Sequence, residues 1–170
     1  MKVRFETYSY RFADQIFNGM FHLRDEFFNI LKASFENTDI TMATRPLLNE
    51  VLKQNFEKFG WTSQPQIFEN QNDIYAKLDF LKSRLGVEVQ FGHSSFIGID
   101  VLKFQVASYS NLNCIDIGLY VVTTTNFQNK LIKDYGLKWS GSLSYEKVIK
   151  YLPQFKSAIQ VPILVIGIDL

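Results

Sequence analysis

Cysteine, histidine and proline are scarce in this chain of 170 residues, which has one Cys, two His and four Pro. A single cysteine, Cys114, cannot form an internal disulfide, and this excludes the disulfide framework of small secreted domains. Cys114 lies in an apolar run, so we expect a buried structural thiol rather than a nucleophile. His22 and His93 have no further Cys or His at ligand spacing, which excludes a zinc-finger type of site.

Long apolar runs and an excess of charge are also missing. The most apolar stretch, Val161–Ile168, is too short to cross a membrane, and the start of the chain has no apolar signal segment. These features predict a cytoplasmic protein. The net charge of +1 is small for a nucleic-acid binder, because contacts to phosphates usually supply the affinity. An acidic metal site would, however, offset local Lys and Arg in this sum.

No Walker pattern, Gly-rich phosphate loop or GxSxG elbow is present, so nucleotide-dependent and serine-hydrolase chemistry is not indicated. The chain does have an alternation of helical and strand periods that predicts one α/β domain over residues 1–170, with a central mixed sheet flanked by helices. Strands are predicted at Lys2–Phe12, Ile115–Thr124 and Val161–Asp169, and helices at about Ala13–Ser34, Thr44–Gly60, Phe96–Tyr109, Asn126–Tyr135 and Ser144–Leu152.

Between the second and third helices the pattern predicts a tight hairpin. Apolar and polar residues alternate over Ile74–Phe80, a turn signal follows at Ser83–Gly86, and the alternation then resumes. A turn centred in the middle of Ser83–Gly86 would place Asp79 opposite Gln90. Asp79, Glu88 and Gln90 would then share one face of the hairpin.

Two carboxylates on one face repel each other unless a cation lies between them. Mg²⁺ suits such a site, because it takes one or two carboxylates together with phosphate and water oxygens. This is the minimal equipment for metal-assisted hydrolysis of a phosphodiester. On spacing alone, however, Asp79 and Glu88 are more often solvated acids on an exposed sheet face.

The surrounding segment, residues 77–124, adds a more specific signal. It contains KLDFLKSRLGVEVQFGHSSFIGIDVLKFQVASY and then IDIGLYVVTT. This segment resembles the PD-(D/E)xK nuclease superfamily, and within it the BglII-type restriction endonucleases, in which Gln replaces the catalytic Lys. The resemblance implies a restriction-endonuclease-like core, with Asp79 and Glu88 as Mg²⁺ ligands and Gln90 as a catalytic residue. Gln90 can orient a water molecule but cannot supply charge, so activation of water would depend on the metal.

Two residues outside this triplet are further candidates. Related nuclease folds often place an acid on the helix before the catalytic hairpin, and Glu50 occupies such a position as a catalytic candidate. Lys103, on the helix after the hairpin, is a candidate for a lysine that has moved from the position of Gln90. The commoner alternative for each is an ordinary solvated side chain on a helix.

Candidate DNA contacts lie around the same hairpin. His93 and Ser94 are at the N-terminus of a predicted helix, where free N–H groups and a hydroxyl suit a DNA phosphate. Helix capping is an equally good explanation for the serine. Lys77, Lys82 and Arg84 form a basic cluster that could bind the DNA backbone, although isolated surface cations are common.

Together these features predict a small type II restriction endonuclease that acts as a homodimer on double-stranded DNA. A two-fold dimer lets one short chain read a palindrome and cut both strands. The resemblance implies a site containing GATC and a partner DNA methyltransferase encoded nearby. Two alternatives stay open: a non-catalytic DNA- or protein-binding module that retains the nuclease fold, and a small-molecule metal hydrolase with an enclosed pocket.

Overall fold

The computed structural model describes residues 1–68 and 77–170, and within them a mixed sheet lies between two layers of helices. The strands are β1 Arg4–Tyr10, β2 Thr62–Ser63, β3 Phe80–Lys82, β4 Leu85–Val89, β5 Ile117–Thr123 and β6 Ile163–Asp169. The helices are α1 Ala13–Gly19, α2 Phe21–Glu36, α3 Arg45–Lys58, α4 Ile97–Tyr109, α5 Thr125–Tyr135 and α6 Tyr145–Tyr151. None of the helices in the described ranges combines the length and the apolar character that a membrane span requires.

The sheet has the order β1-β6-β5-β4-β3-β2. Its centre is parallel, since β4 pairs with β5 and β5 with β6 in this sense, while β1, β3 and β2 are added antiparallel at the edges. Every residue of β5 and β6 is buried, as expected for parallel strands that are covered by helices on both faces. The predicted mixed α/β sheet is therefore confirmed.

Each face of the sheet has its own core. One core is rich in aromatic rings from α1, α2 and α3; within it Phe56 stacks on Phe80 with a centroid distance of 4.4 Å. The other lies under α4 and α6, where Phe104 meets Tyr120 edge to face at 5.9 Å. Burial of these rings supplies much of the hydrophobic stabilisation, at about 25 cal/mol per Å² of apolar surface.

The first predicted helix is wrong in one respect, because Ala13–Ser34 is divided into α1 and α2. The division falls at Gly19–Met20, where the Met20 N–H donates a hydrogen bond of 3.0 Å to the Phe17 carbonyl and the α-helix is interrupted. Glycine has a low helix propensity, and a break here costs little. The second helix is confirmed, with the Thr44 hydroxyl capping its start and Gly60 just beyond its end at a φ of +77°.

The register of the β3–β4 hairpin also differs from the prediction. Phe80 pairs with Val87 and Lys82 with Leu85, so the loop is only Ser83–Arg84. Both loop residues have positive φ, of 45° and 67°, as in the type I′ turn whose twist matches that of the strands. The turn is thus centred one residue earlier than predicted. Residues 69–76, which include the start of the predicted strand, lie outside the described residues.

This register changes the neighbours of Asp79 but not the face on which they lie. Extended by one residue, it places Asp79 beside Glu88 rather than opposite Gln90. A shift of the turn centre by one residue moves the pairing by two, and side chains alternate with a period of two. Asp79, Glu88 and Gln90 therefore remain together, with the two acids as direct neighbours.

Candidate active site

The polar face of the hairpin opens into a cleft between the end of β4 and α4. The cleft has a volume of about 410 Å³. A second hollow, of about 260 Å³, adjoins it at Asp79 and is bounded by α3. Gln64, Asp79 and Val89 line both spaces, so Asp79 stands where they meet. The cleft is lined by Gln64, Lys77, Leu78, Asp79, Glu88, Val89, Gln90, Phe96, Ile99, Asp100 and Lys103.

Asp79 and Glu88 form an acidic pair at the floor of the cleft. The Asp79 carboxylate accepts a hydrogen bond of 2.7 Å from the Val89 N–H, which fixes its orientation. Burial raises the pKa of Asp79 to about 6 in spite of this hydrogen bond. Burial, and next the charge of Asp79, raise the pKa of Glu88 well above its usual range. The pair therefore holds negative charge that the protein alone stabilises poorly.

Two charged residues of α4 complete this polar cluster. The ammonium of Lys103 lies 3.3 and 3.2 Å from the two carboxylate oxygens of Glu88, and 3.8 Å from Asp100. Asp100 is buried, and burial raises the pKa of its carboxyl. The alternative of a solvated helix position for Lys103 is therefore wrong, because its side chain is only 20% exposed and points into the site.

Gln90 is held by hydrogen bonds at both ends of its amide. Its Oε1 accepts from the Gly92 N–H at 2.8 Å, and its Nε2 donates to Asp100 at 2.8 Å. The Tyr120 hydroxyl donates to the same oxygen of Asp100 at 2.7 Å. The Gly92 N–H can only donate, so the amide orientation is unambiguous. Gln90 is thus part of a fixed network with Asp100 and Tyr120.

The donor set of the cleft suits a hard divalent cation. When ionised, Asp79, Glu88 and Asp100 carry three negative charges, which the ammonium groups of Lys103 and Lys77 offset only in part, and Mg²⁺ would offset the rest. Asp79 and Glu88 would hold the ion, with its other positions open to phosphate and water oxygens. Within residues 1–68 and 77–170, no group of three or more His, Cys, Asp or Glu is arranged as a metal site. Two protein carboxylates are nevertheless a usual number for Mg²⁺ beside a phosphate.

A comparison with models of protein families identifies the family of this chain. The sequence model of the family described as "Restriction endonuclease BglII/BglIII" matches residues 5–168. The chain belongs to this BglII/BglIII restriction endonuclease family. Membership makes it a DNA endonuclease of the restriction type and confirms the resemblance found in the sequence. A search of curated protein sequences finds no match.

Solved structures show the same fold. BglII complexed with a DNA 16-mer is similar to this chain with a TM-score of 0.76 and 17% sequence identity, over 98% of this chain and 77% of that one. Free BglII is similar with a TM-score of 0.62 and 18% identity, over 96% of this chain and 78% of that one. At such low identity these likenesses show the fold, and the residue roles in this BglII/BglIII family member depend on its own geometry.

Glu50 lies at the rim of the second hollow rather than in the acidic pair. It is exposed on α3, and its carboxylate accepts a hydrogen bond from Gln54 at 2.9 Å. Asp79 lines the same hollow. The structure thus brings Glu50 to the neighbourhood of Asp79, and its catalytic role remains a prediction.

His93 and Ser94 lie at the start of a short 3-10 turn, Ser94–Phe96, that leads into α4. His93, not a serine, is the capping residue, since its Nδ1 accepts from the Ser95 N–H at 3.2 Å. The Ser94 hydroxyl accepts from Lys147 at 2.7 Å. The predicted helix start is confirmed, whereas a contact of these residues with DNA remains a prediction.

The three predicted basic contacts have different surroundings. Lys77 is half-buried and lines the cleft. Lys82 is paired with Glu26 at 2.7 Å, and Arg84 with Asp116 at 2.6 Å. Arg84, in the hairpin loop, precedes Glu88 by four residues, which is about 13 Å along an extended strand. Only Lys77 therefore lies in the cleft, and DNA binding by Lys82 and Arg84, which remains a prediction, would have to compete with their ion pairs.

Sequence reasoning missed two parts of the site, Gln64 and the Asp100–Tyr120 pair. Gln64 follows β2 at a φ of +50°, and its N–H donates to the Asp79 carbonyl at 2.9 Å. No sequence motif marks it. Asp100 had a weaker signal, since it stands three residues before Lys103 and therefore on the same side of α4.

The outward side of α4 was also not foreseen. The opposite side of α4, which includes Val101 and Phe104, is buried. Leu102 and Tyr109 are 49% and 64% exposed on the outward side, and Ile99, which also lines the cleft, is 51% exposed. This helix is apolar on most of its circumference, so periodicity alone could not identify the buried side.

Proposed function

We propose that this chain is a Mg²⁺-dependent type II restriction endonuclease that hydrolyses phosphodiester bonds in double-stranded DNA at a short palindrome. The acidic pair Asp79 and Glu88, set in an open cleft beside Lys103, carries the proposal. Family membership supports the reaction class, and the related BglII was solved with a DNA 16-mer.

The residues of the cleft have different roles in this proposal. Asp79 and Glu88 would hold Mg²⁺, which when bound supplies positive charge at the phosphate and lowers the pKa of water. Asp79 has a pKa of about 6, so at neutral pH it is a charged ligand whose direction the Val89 N–H fixes. Gln90 keeps Asp100 in place through its amide.

A homodimer is the second part of the proposal. Ile99, Leu102 and Tyr109 give α4 an exposed apolar stripe that a second copy could cover. A two-fold contact through α4 would also bring both clefts near the dimer axis, because α4 contributes Lys103 to the site. Such symmetry matches a palindromic target, for which GATC-containing sequences are the first to test.

The cellular setting follows from this activity. A restriction endonuclease works on DNA in the cytoplasm, and a neighbouring gene should encode the methyltransferase that protects the host site. The reduced state expected for the lone Cys114 fits this compartment.

Cleavage of unmethylated plasmid DNA in the presence of Mg²⁺ tests the proposal. The wild type should give discrete fragments, and the Asp79→Ala and Glu88→Ala variants should give none. The matched control is Asp134→Ala, which removes an exposed carboxylate of α5 and should cleave as the wild type does. If the wild type binds the DNA but cuts no substrate, the chain is a binding module that retains the nuclease fold.

A further inference from the structure

The site of this protein lacks a positive charge on the strand that carries Glu88. In the broad nuclease pattern a lysine stands where this chain has Gln90. The Gln90 amide is neutral, and both its ends already have partners in Gly92 and Asp100. Gln90 is therefore poorly placed to stabilise negative charge on a phosphate.

Another element brings an ammonium to the same place. Lys103 extends from α4 to within 3.3 Å of both carboxylate oxygens of Glu88. Its side chain is 20% exposed, so its charge is partly desolvated and acts more strongly than a charge on the surface. The flexible stem of lysine also lets the ammonium reach a neighbouring phosphate oxygen without movement of the helix.

Asp100 explains why this lysine is directed inward. It lies three residues before Lys103 on α4, is buried, and is 3.8 Å from the ammonium. Gln90 and Tyr120 both donate hydrogen bonds to Asp100, which fixes the carboxylate in this position. Gln90, Asp100 and Tyr120 thus act as positioning residues for Lys103.

We propose that Lys103 is a catalytic residue that supplies, from α4, a positive charge facing the scissile phosphate. The inference rests on the proposed nuclease function and deepens it. A phosphate that enters the cleft meets three carboxylates, and Lys103 offsets part of their repulsion. As the negative charge on the phosphate oxygens shifts during hydrolysis, a nearby cation lowers the barrier.

Single-turnover cleavage of plasmid DNA with Mg²⁺ tests this role. Lys103→Gln should lower the cleavage rate by about 10²–10³-fold, the usual loss when one such stabilising group is removed. Lys103→Arg keeps the charge and should stay within about tenfold of the wild type. Lys133→Gln is the matched control on the exposed side of α5 and should cleave as the wild type does.

Binding of DNA without metal gives a readout that does not depend on the reaction. The probe is a short fluorescein-labelled duplex that carries the mapped plasmid cut site, measured by anisotropy in EDTA. Lys103→Gln should weaken binding and Asp79→Asn should strengthen it, because they change the charge of the cleft in opposite directions. If Lys103 only stabilised the fold, the Lys103→Gln variant would have a lower melting temperature, and the DNA affinity of its folded form would be unchanged.

The outcomes separate this inference from the proposed function. If the wild type cleaves DNA and a folded Lys103→Gln variant cleaves within twofold of it, the role of Lys103 is refuted and the nuclease function stands. If the wild type cleaves no DNA, both are refuted. Should Lys103→Gln not fold, Lys103→Met takes its place, since it keeps the apolar stem and removes the charge.

Discussion

Replacement of Asp79 by asparagine should stabilise the fold at neutral pH while it abolishes DNA cleavage. Burial raises the pKa of this carboxyl from 3.8 to about 6, which means that the folded protein prefers its protonated form. Asparagine resembles that form in shape and charge, and its side-chain oxygen can still accept from the Val89 N–H. The variant loses the charged metal ligand but also the energetic cost of a buried charge.

The size and sign of the effect follow from the pKa shift. The pKa of Asp79 differs by about 2.2 units between the unfolded and the folded chain, and this corresponds to about 3 kcal/mol of unfolding free energy, at 1.36 kcal/mol per unit. The stability that the protonated carboxyl contributes is fully present below pH 3.8 and is lost as the pH rises through 6. The variant should therefore match the wild type at pH 3.5 and be more stable by up to about 3 kcal/mol at pH 8.

Urea unfolding followed by circular dichroism, in EDTA at both pH values, measures this difference. Asp134→Asn removes an exposed carboxylate and should change the free energy of unfolding little at either pH. Mg²⁺ should stabilise the wild type and not Asp79→Asn, since only the wild type retains both ligands. An Asp79→Asn variant that is as stable as the wild type at pH 8, or less stable, would show that the charge of Asp79 does not destabilise the folded protein.

Three further predictions concern the surroundings of the site. Gly118→Ala should destabilise the protein by about 1–3 kcal/mol in chemical unfolding, because its Cβ would lie 2.6 Å from the Phe104 ring. Leu102→Glu should shift a dimer to monomer in sedimentation without lowering the melting temperature of the monomer, and an unchanged dimer would exclude the α4 interface. Tyr120→Phe removes a hydrogen bond to Asp100 and should cost about 1–2 kcal/mol in unfolding free energy. It should also slow single-turnover cleavage, and an unchanged rate would exclude a positioning role.

Much of the fold could be predicted locally. The strand Ile163–Asp169 appears as a continuous apolar run, and α3 is marked by its Thr44 cap and by Gly60. Such signals lie within a few residues of the element that they define, so one chain is enough to read them. The break between α1 and α2 was missed because the apolar stripe continues across it.

The acidic pair and Gln90 were predictable for a different reason. Side chains on paired strands alternate with a period of two, so parity alone places Asp79, Glu88 and Gln90 on one face even when the register is wrong. The surrounding segment, which resembles a nuclease family, then distinguished this triplet from ordinary surface acids.

By itself, the sequence determined the α/β class, the main elements and the shared face of the three polar residues, because these depend on local periodicity. Tertiary packing decided the partner of Asp79, the buried side of α4 and the inward direction of Lys103. The two-residue turn determines the register of the β3–β4 hairpin. The packing of Phe104 against β5 determines which side of α4 is buried, because this helix is apolar on most sides. These three features depend on contacts between segments that are distant in the sequence, and local sequence patterns do not predict such contacts.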